Sequence, residues 1–154
     1  MAVETLDETT RFPDIERLTA LLEELMAELG LGERDLTLVL TTDEAIAYLN
    51  LRDREVKGPT DVLSYPTSEP TDVDFPVLDH LGDVFISTDT AASQATAAGH
   101  DVLTEVAILA AHGLLHLSGL DHQDAAAWRP FEAAQRRMVE LVKRSAERLE
   151  GTDS

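Results

Sequence analysis

With 154 residues and no cysteine, the chain is long enough to bury a core as one domain, over residues 1-154, without disulfides. No apolar stretch is long enough to cross a bilayer and no signal peptide is apparent, so we expect a cytoplasmic protein with no membrane and no disulfide partner. The formal net charge of -18 argues against a broad nucleic-acid-binding surface, which needs clustered Lys and Arg, and leaves room only for a local basic strip.

The hydrophobic pattern of the first half predicts helices and strands in mixed order. Leucines at helical spacing indicate the first helix, and a short β-branched run indicates the first strand. Thr42 is placed to cap a second helix, and Gly58 with Pro59 marks a turn. The predicted elements are a helix over 13–29, a strand over 36–40, a helix over 43–51, a strand over 61–65 and an exposed loop over 67–79.

The second half contains the most apolar segment of the chain. A strand is predicted over 81–87, and an alanine-rich helix over 89–98 ends at Gly99. The helix predicted over 103–117 is apolar nearly all round, which is typical of a helix buried in the middle of a domain. A long C-terminal helix follows over 125–149, kinked or restarted near Pro130. Without strict strand–helix–strand alternation, the fold class is α+β, a small mixed sheet packed with helices.

Three of the five histidines lie in the segment HGLLHLSGLDH, as His112, His116 and His122. Residues four apart share one face of a helix, so His112 and His116 can bind one ion, and Gly119 allows the turn that brings His122 round as the third ligand. Three imidazoles leave one open position on a tetrahedral ion, as in catalytic zinc sites. We therefore predict one Zn²⁺ per chain on the buried helix, with Asp121 orienting one of the imidazoles by accepting a hydrogen bond from it.

The few basic residues are clustered. Arg52, Arg54 and Lys57 lie together before the Gly58 turn, and we predict that they contact RNA phosphates. Five more lie on the last helix, as an alternative strip: Arg136, Arg137, Lys143, Arg144 and Arg148.

The histidine segment matches a known signature, H-G-x-L-H-L-x-G-x-D-H, at every fixed position. LNLRDREVKGPTDVLSYP, which starts at Leu49, and LGDVFIS, which starts at Leu81, are similar to two further blocks of the same family. The chain thus resembles the YbeY endoribonucleases, or rRNA maturation factors. It departs from the family at Asp53, where an aromatic residue is usual, at Tyr65, where phenylalanine is usual, and at Leu120, where tyrosine is common.

The resemblance implies a zinc-dependent endonuclease for single-stranded RNA. It implies action on the 16S rRNA precursor, in 3′-end maturation and late ribosome quality control, with the ribosome or ribosomal proteins as partners. Arg54 aligns with the family's arginine, and a guanidinium suits the charge that develops on phosphorus during cleavage. Arg54 and His112 are accordingly the predicted catalytic residues.

Two other functions compete with this interpretation. A metzincin-like metalloprotease has similar histidine spacing, but its general base is a glutamate after the first histidine, where this chain has Gly113. A metal-stabilised RNA- or ribosome-binding module without catalysis would use the same residues. Cleavage of unstructured RNA with and without a chelator separates these functions.

Overall fold

The computed structural model describes residues 3–67, 80–119 and 124–152. Within them lie four strands and five helices: β1 (Val3–Asp7), α1 (Ile15–Glu28), β2 (Asp35–Thr41), α2 (Asp43–Arg54), β3 (Val62–Pro66), β4 (His80–Ser87), α3 (Thr88–Ala98), α4 (Val102–Leu117) and α5 (Ala125–Thr152). None of these helices is long and apolar enough to cross a membrane. Most of the predicted loop at 67–79 lies outside the described residues.

The predicted α+β class, with a small mixed sheet and a long C-terminal helix, is confirmed. The strand order is β1-β2-β4-β3, in which β1, β2 and β4 run parallel and β3 is an antiparallel edge strand. Leu38 on β2 and Ser64 on β3 both pair with Val84, which therefore lies near the centre of the sheet. The same face carries Ile86, and it packs against the helices.

Two details of the sequence prediction are corrected. Strand β1 was not predicted, because Val3 and Leu6 are its only apolar residues and one of them, Leu6, remains 46% exposed. Helix α5 continues through Pro130 without a restart. Pro130 lies near the start of the helix, where its missing N–H removes a single hydrogen bond.

Helix α4 is buried along most of its length, as its apolar sequence predicts. It packs on β3 and β4 and is covered by α1, α3 and α5. Its N-terminus is capped by Asp101, which accepts a hydrogen bond from the Thr104 backbone N–H at 2.8 Å. It ends at Leu117 with Ser118 as its C-cap, and Gly119 follows with φ of 95°. The expected helix end and turn are therefore present, and few positions of α4 can reach solvent.

Gly82 of β4 lies where the edge strand β3 and the C-terminal end of α4 pack most closely against β4. Its φ is 148°, a value that residues with a Cβ rarely adopt. A Cβ there would overlap the Tyr65 carbonyl oxygen of β3 and come within 2.9 Å of Leu117 Cδ2. Only glycine allows the edge strand and the end of α4 to approach β4 this closely.

We expect Gly82→Ala to lower the free energy of unfolding by roughly 2–5 kcal/mol, because it adds a steric overlap to an unfavourable backbone angle. Gly30→Ala is the matched control, since Gly30 also has a positive φ (79°) but has no atom within 4 Å of an added Cβ. It should cost only about 1 kcal/mol. Urea unfolding of both variants measures the difference, and equal losses would show that the close approach at Gly82 is unimportant.

Candidate functional site

His112 and His116 face a cleft of about 540 Å³ between α4, β3 and the C-terminal end of α2. Arg54 is the last residue of α2 and lies on the same cleft. The structure therefore brings together the predicted histidine pair and the predicted catalytic arginine, which are 58 and 62 residues apart in sequence. The other lining residues come from β3 and the two residues before it: Thr60, Asp61, Val62, Leu63, Ser64 and Pro66.

The two imidazoles are placed to share one ion. Their Nε2 atoms are 3.1 Å apart. Two nitrogens bound to one tetrahedral zinc at the usual bond length are about 3.3 Å apart, so the pair fits a single zinc ion. Within the described parts of the chain no group of three potential ligands converges. The predicted third ligand His122 and its neighbour Asp121 lie outside these parts.

Gly113 determines which way the histidines point. A Cβ on Gly113 would lie 2.6 Å from Val84 Cγ1 and 3.1 Å from Ser64 Oγ, so at this residue α4 touches the sheet directly. The Ser64 hydroxyl also donates a hydrogen bond to the Gly113 carbonyl oxygen at 3.3 Å. With Gly113 fixed against the sheet, His112 and His116 lie on the side of the helix that faces the cleft. A glutamate at this position would collide with Val84, so the general base that the metalloprotease interpretation requires has no room here.

Helix α5 supports the imidazoles from behind. The Phe131 ring lies 5.0 Å from the His112 ring and 4.9 Å from the His116 ring, between centroids, and Trp128 lies 5.9 Å from His112. Phe131 is fully buried, as predicted for a core residue, but it also restricts the orientation of both histidines.

The side-chain amide nitrogen of Gln135 lies 3.4 Å from Nδ1 of His112. An imidazole that binds metal through Nε2 carries its proton on Nδ1 and needs an acceptor there, so this role requires the Gln135 amide to be turned over, which exchanges the positions of its nitrogen and oxygen. This contact could not be predicted from the sequence, because a glutamine on an amphipathic helix usually faces solvent.

Arg54 is exposed, and it forms no ion pair with any described residue. Helix α2 ends here because Glu55 adopts a left-handed conformation, with φ of 59°. Lys57, predicted to contact RNA, is an exposed residue of the following turn and is not among the residues lining the cleft. Asp61 accepts hydrogen bonds from the Val62 backbone N–H and from the Gln94 amide, so it organises the start of β3.

Arg52 differs from Arg54, because its charge is paired. Its Nε and one terminal nitrogen donate to the two Asp53 carboxylate oxygens at 2.7 and 2.8 Å. The Tyr65 hydroxyl donates to the same carboxylate at 2.7 Å. Two of the three departures from the family pattern, Asp53 and Tyr65, are thus hydrogen-bonded to each other, and they tie the end of α2 to β3.

This network shifts the pKa of each member. Hydrogen bonds from Arg52 and then from Tyr65 lower the pKa of Asp53 to about 2. Burial, followed by the hydrogen bond to the Asp53 carboxylate, raises the pKa of Tyr65 to about 12. The carboxylate and the neutral phenol therefore persist together over the whole physiological pH range.

Comparison with known proteins identifies relatives over most of the chain. Residues 4–143 match the sequence profile of the family described as Endoribonuclease YbeY. The chain is 44% identical over 127 residues to Endoribonuclease YbeY of Thermus thermophilus, covering 82% of this chain and 90% of that one. It is 48% identical over 108 residues to the Deinococcus radiodurans protein of that name, covering 70% and 68%. A solution structure of a Thermotoga maritima protein superposes with a TM-score of 0.68 at 25% identity, covering 99% of this chain and 96% of that one.

The coupling between Asp53 and Tyr65 can be measured by tyrosine titration. The chain has two tyrosines, so in Tyr48→Phe only Tyr65 contributes phenolate absorbance. We expect a midpoint near 12 in this background, measured by rapid pH jump before the protein unfolds. Adding Asp53→Asn removes the nearby negative charge and should move the midpoint down towards 10. An unchanged midpoint would show that the phenol does not contact Asp53 in solution.

Proposed function

The chain belongs to the YbeY endoribonuclease family, and from this membership we propose that it is a zinc-dependent endonuclease for single-stranded RNA. We further propose, from the family resemblance of the sequence, that it acts in the cytoplasm on the 16S rRNA precursor. Its roles there would be 3′-end maturation and late-stage ribosome quality control, with the ribosome or ribosomal proteins as partners. The matched region supports a single functional domain for the whole chain, residues 1-154.

One observation carries this proposal, the presence of two convergent imidazoles and an exposed guanidinium on one cleft. We propose that His112, His116 and His122 bind one ion, and that zinc is favoured because the ligand set is imidazole without thiolate or carboxylate. When bound, such an ion supplies Lewis-acid activation of water and of a phosphoryl oxygen. Gln135 contacts Nδ1 of His112 and, with its amide turned over, would orient this ring as a hydrogen-bond acceptor, a role that the sequence assigns to Asp121.

Arg54 stabilises the negative charge that develops on the phosphate during cleavage. Phosphodiester cleavage adds negative charge to the oxygens of phosphorus as a fifth bond forms. A guanidinium can donate two parallel hydrogen bonds to such oxygens, and its charge is available because no described carboxylate pairs with it. In the ground state the same donors bind and orient the phosphate in the cleft.

RNA binding through this surface is local. Arg54 and Lys57 are the unpaired cations near the cleft among the described residues, while the chain as a whole carries a net charge of -18. The acidic body repels RNA that is not held at the cleft, which favours weak binding with a strong dependence on salt concentration. Arg52, whose charge is balanced by Asp53, contributes less to this electrostatic attraction than the sequence suggests.

Metal binding is tested with His116→Ala. We expect the unaltered protein to contain about one zinc per chain and the variant to lose it, because the two remaining ligands bind too weakly. His100→Ala is the matched control, since His100 lies away from the cleft and contacts Glu105 at 2.6 Å. Elemental analysis after dialysis gives the stoichiometry, and full zinc content in His116→Ala would show that the ligands are other residues.

Arg54→Ala should reduce RNA cleavage by about 10²–10³-fold, with zinc content and circular dichroism unchanged, because one electrostatic contact in the transition state is lost. Arg11→Ala is a suitable control, as Arg11 lines a different cavity, near the start of α1. Turnover of an unstructured RNA is measured with and without a chelator. Unaltered turnover in Arg54→Ala contradicts the role of Arg54, and absence of cleavage by the unaltered protein favours a binding module.

A further inference from the structure

We propose that Tyr48 and Arg52 on α2 form a stacking surface for one unpaired RNA base next to the catalytic cleft. This inference rests on the proposed function and adds a substrate-binding position to it. We call Tyr48 and Arg52 together the stacking pair.

Tyr48 is unusually exposed for an aromatic residue. Its relative exposure is 64%, the highest among the exposed large hydrophobic residues that the structure describes. The Arg52 guanidinium lies over its ring, with Cζ 5.7 Å from the ring centroid, and 55% of the Arg52 side chain is also exposed. Both residues thus remain largely accessible to solvent although the guanidinium lies over the ring. An open aromatic ring and a guanidinium plane are the two surfaces on which proteins stack unpaired bases.

The pairing of Arg52 with Asp53 favours a base over a phosphate. The carboxylate occupies Arg52 Nε and one terminal nitrogen, which lie in the guanidinium plane. Phosphate binds guanidinium through these in-plane donors, whereas a base stacks on the face of the plane. Because Asp53 is held in turn by Tyr65, the plane of Arg52 is fixed before RNA binds, which lowers the entropic cost of stacking.

The stacking pair is connected directly to the cleft. Asp53 lies between Arg52 and Arg54 in sequence, and Arg54 lines the cleft. Tyr65, which contacts Asp53, lies between Ser64 and Pro66, which also line the cleft. Since neighbouring strand residues point to opposite faces, the cleft and the Tyr65–Asp53 contact lie on the two sides of edge strand β3. RNA that leaves the cleft at Arg54 can therefore reach the stacking pair across the strand edge.

The test uses a fluorescently labelled, unstructured oligoribonucleotide with the full-length zinc-loaded protein. Tyr48→Ala should raise the Kd and the KM for this RNA by about 5- to 100-fold, the usual effect of removing one base-stacking aromatic. The kcat should stay within about two-fold, because stacking serves the ground and transition states alike. Tyr48→Phe keeps the ring and should bind as the unaltered protein does.

Leu51→Ala is the matched control, because Leu51 is 52% exposed on the same helix but carries no ring. It should leave the Kd unchanged. A series of oligonucleotides with one abasic position each locates the base. We expect one abasic position to weaken binding to the unaltered protein but not to Tyr48→Ala, since the partner ring is already absent there.

Each alternative outcome has a definite meaning. Unchanged affinity in Tyr48→Ala, with cleavage intact, overturns the stacking pair and leaves the endoribonuclease proposal standing. An equal loss in Leu51→Ala also overturns it and indicates a general apolar surface of the kind that binds proteins. If the unaltered protein neither binds nor cleaves the RNA, both proposals fail.

Discussion

The direct contact between α4 and β4 at Gly113 fixes the geometry on which the candidate site depends. Val84, which a Cβ at Gly113 would strike, is held near the centre of the sheet by its pairing with Leu38 and Ser64 and cannot move aside easily. The contact therefore sets both the depth and the rotation of the helix. His112 and His116 reach the cleft as a consequence, and Phe131 closes the space behind them. The close packing of α4 on the sheet thus positions the two histidines, which would be held less precisely by contacts between flexible side chains.

A second connection holds the arginine opposite the histidines. Arg54 follows immediately after Asp53, whose carboxylate receives hydrogen bonds from both Arg52 and Tyr65. The end of α2 is thereby attached to the strand that forms one wall of the cleft. Asp53 and Tyr65, which both depart from the family pattern, supply this attachment. The Tyr65 hydroxyl provides the hydrogen-bond donor that the Asp53 carboxylate accepts. In the proposed stacking pair, Tyr48 presents a ring earlier on the same helix, so base stacking does not depend on an aromatic residue immediately before Arg54.

Much of this arrangement could be predicted from the sequence, because strong periodic patterns and capping residues determine the helices. The cap at Thr42, the helix end near Gly119 and the buried character of α4 were all correctly predicted. The nearness of Arg54 to the histidine pair was expected only through resemblance, since it depends on the packing of distant segments. Strand β1 was missed because an acidic edge strand carries little apolar signal. The pairing of Arg52 with Asp53 was missed because adjacent residues of a helix do not normally face each other. The contact between Asp53 and Tyr65 was missed because it joins residues of a helix and a strand that are distant in sequence.

The burial of α4 also has a consequence for synthesis of the chain. Helix α5 packs on α4, Phe131 contacts both histidines of α4, and Met138 and Leu141 are fully buried in the same core. These residues follow α4 in sequence, so a nascent chain carries an apolar helix without its cover until α5 has been made. At about 5–20 residues per second this interval is on the order of seconds, long enough for chaperones or other nascent chains to bind the helix. Early termination before α5 would leave the same helix permanently uncovered, and such fragments should aggregate or be degraded.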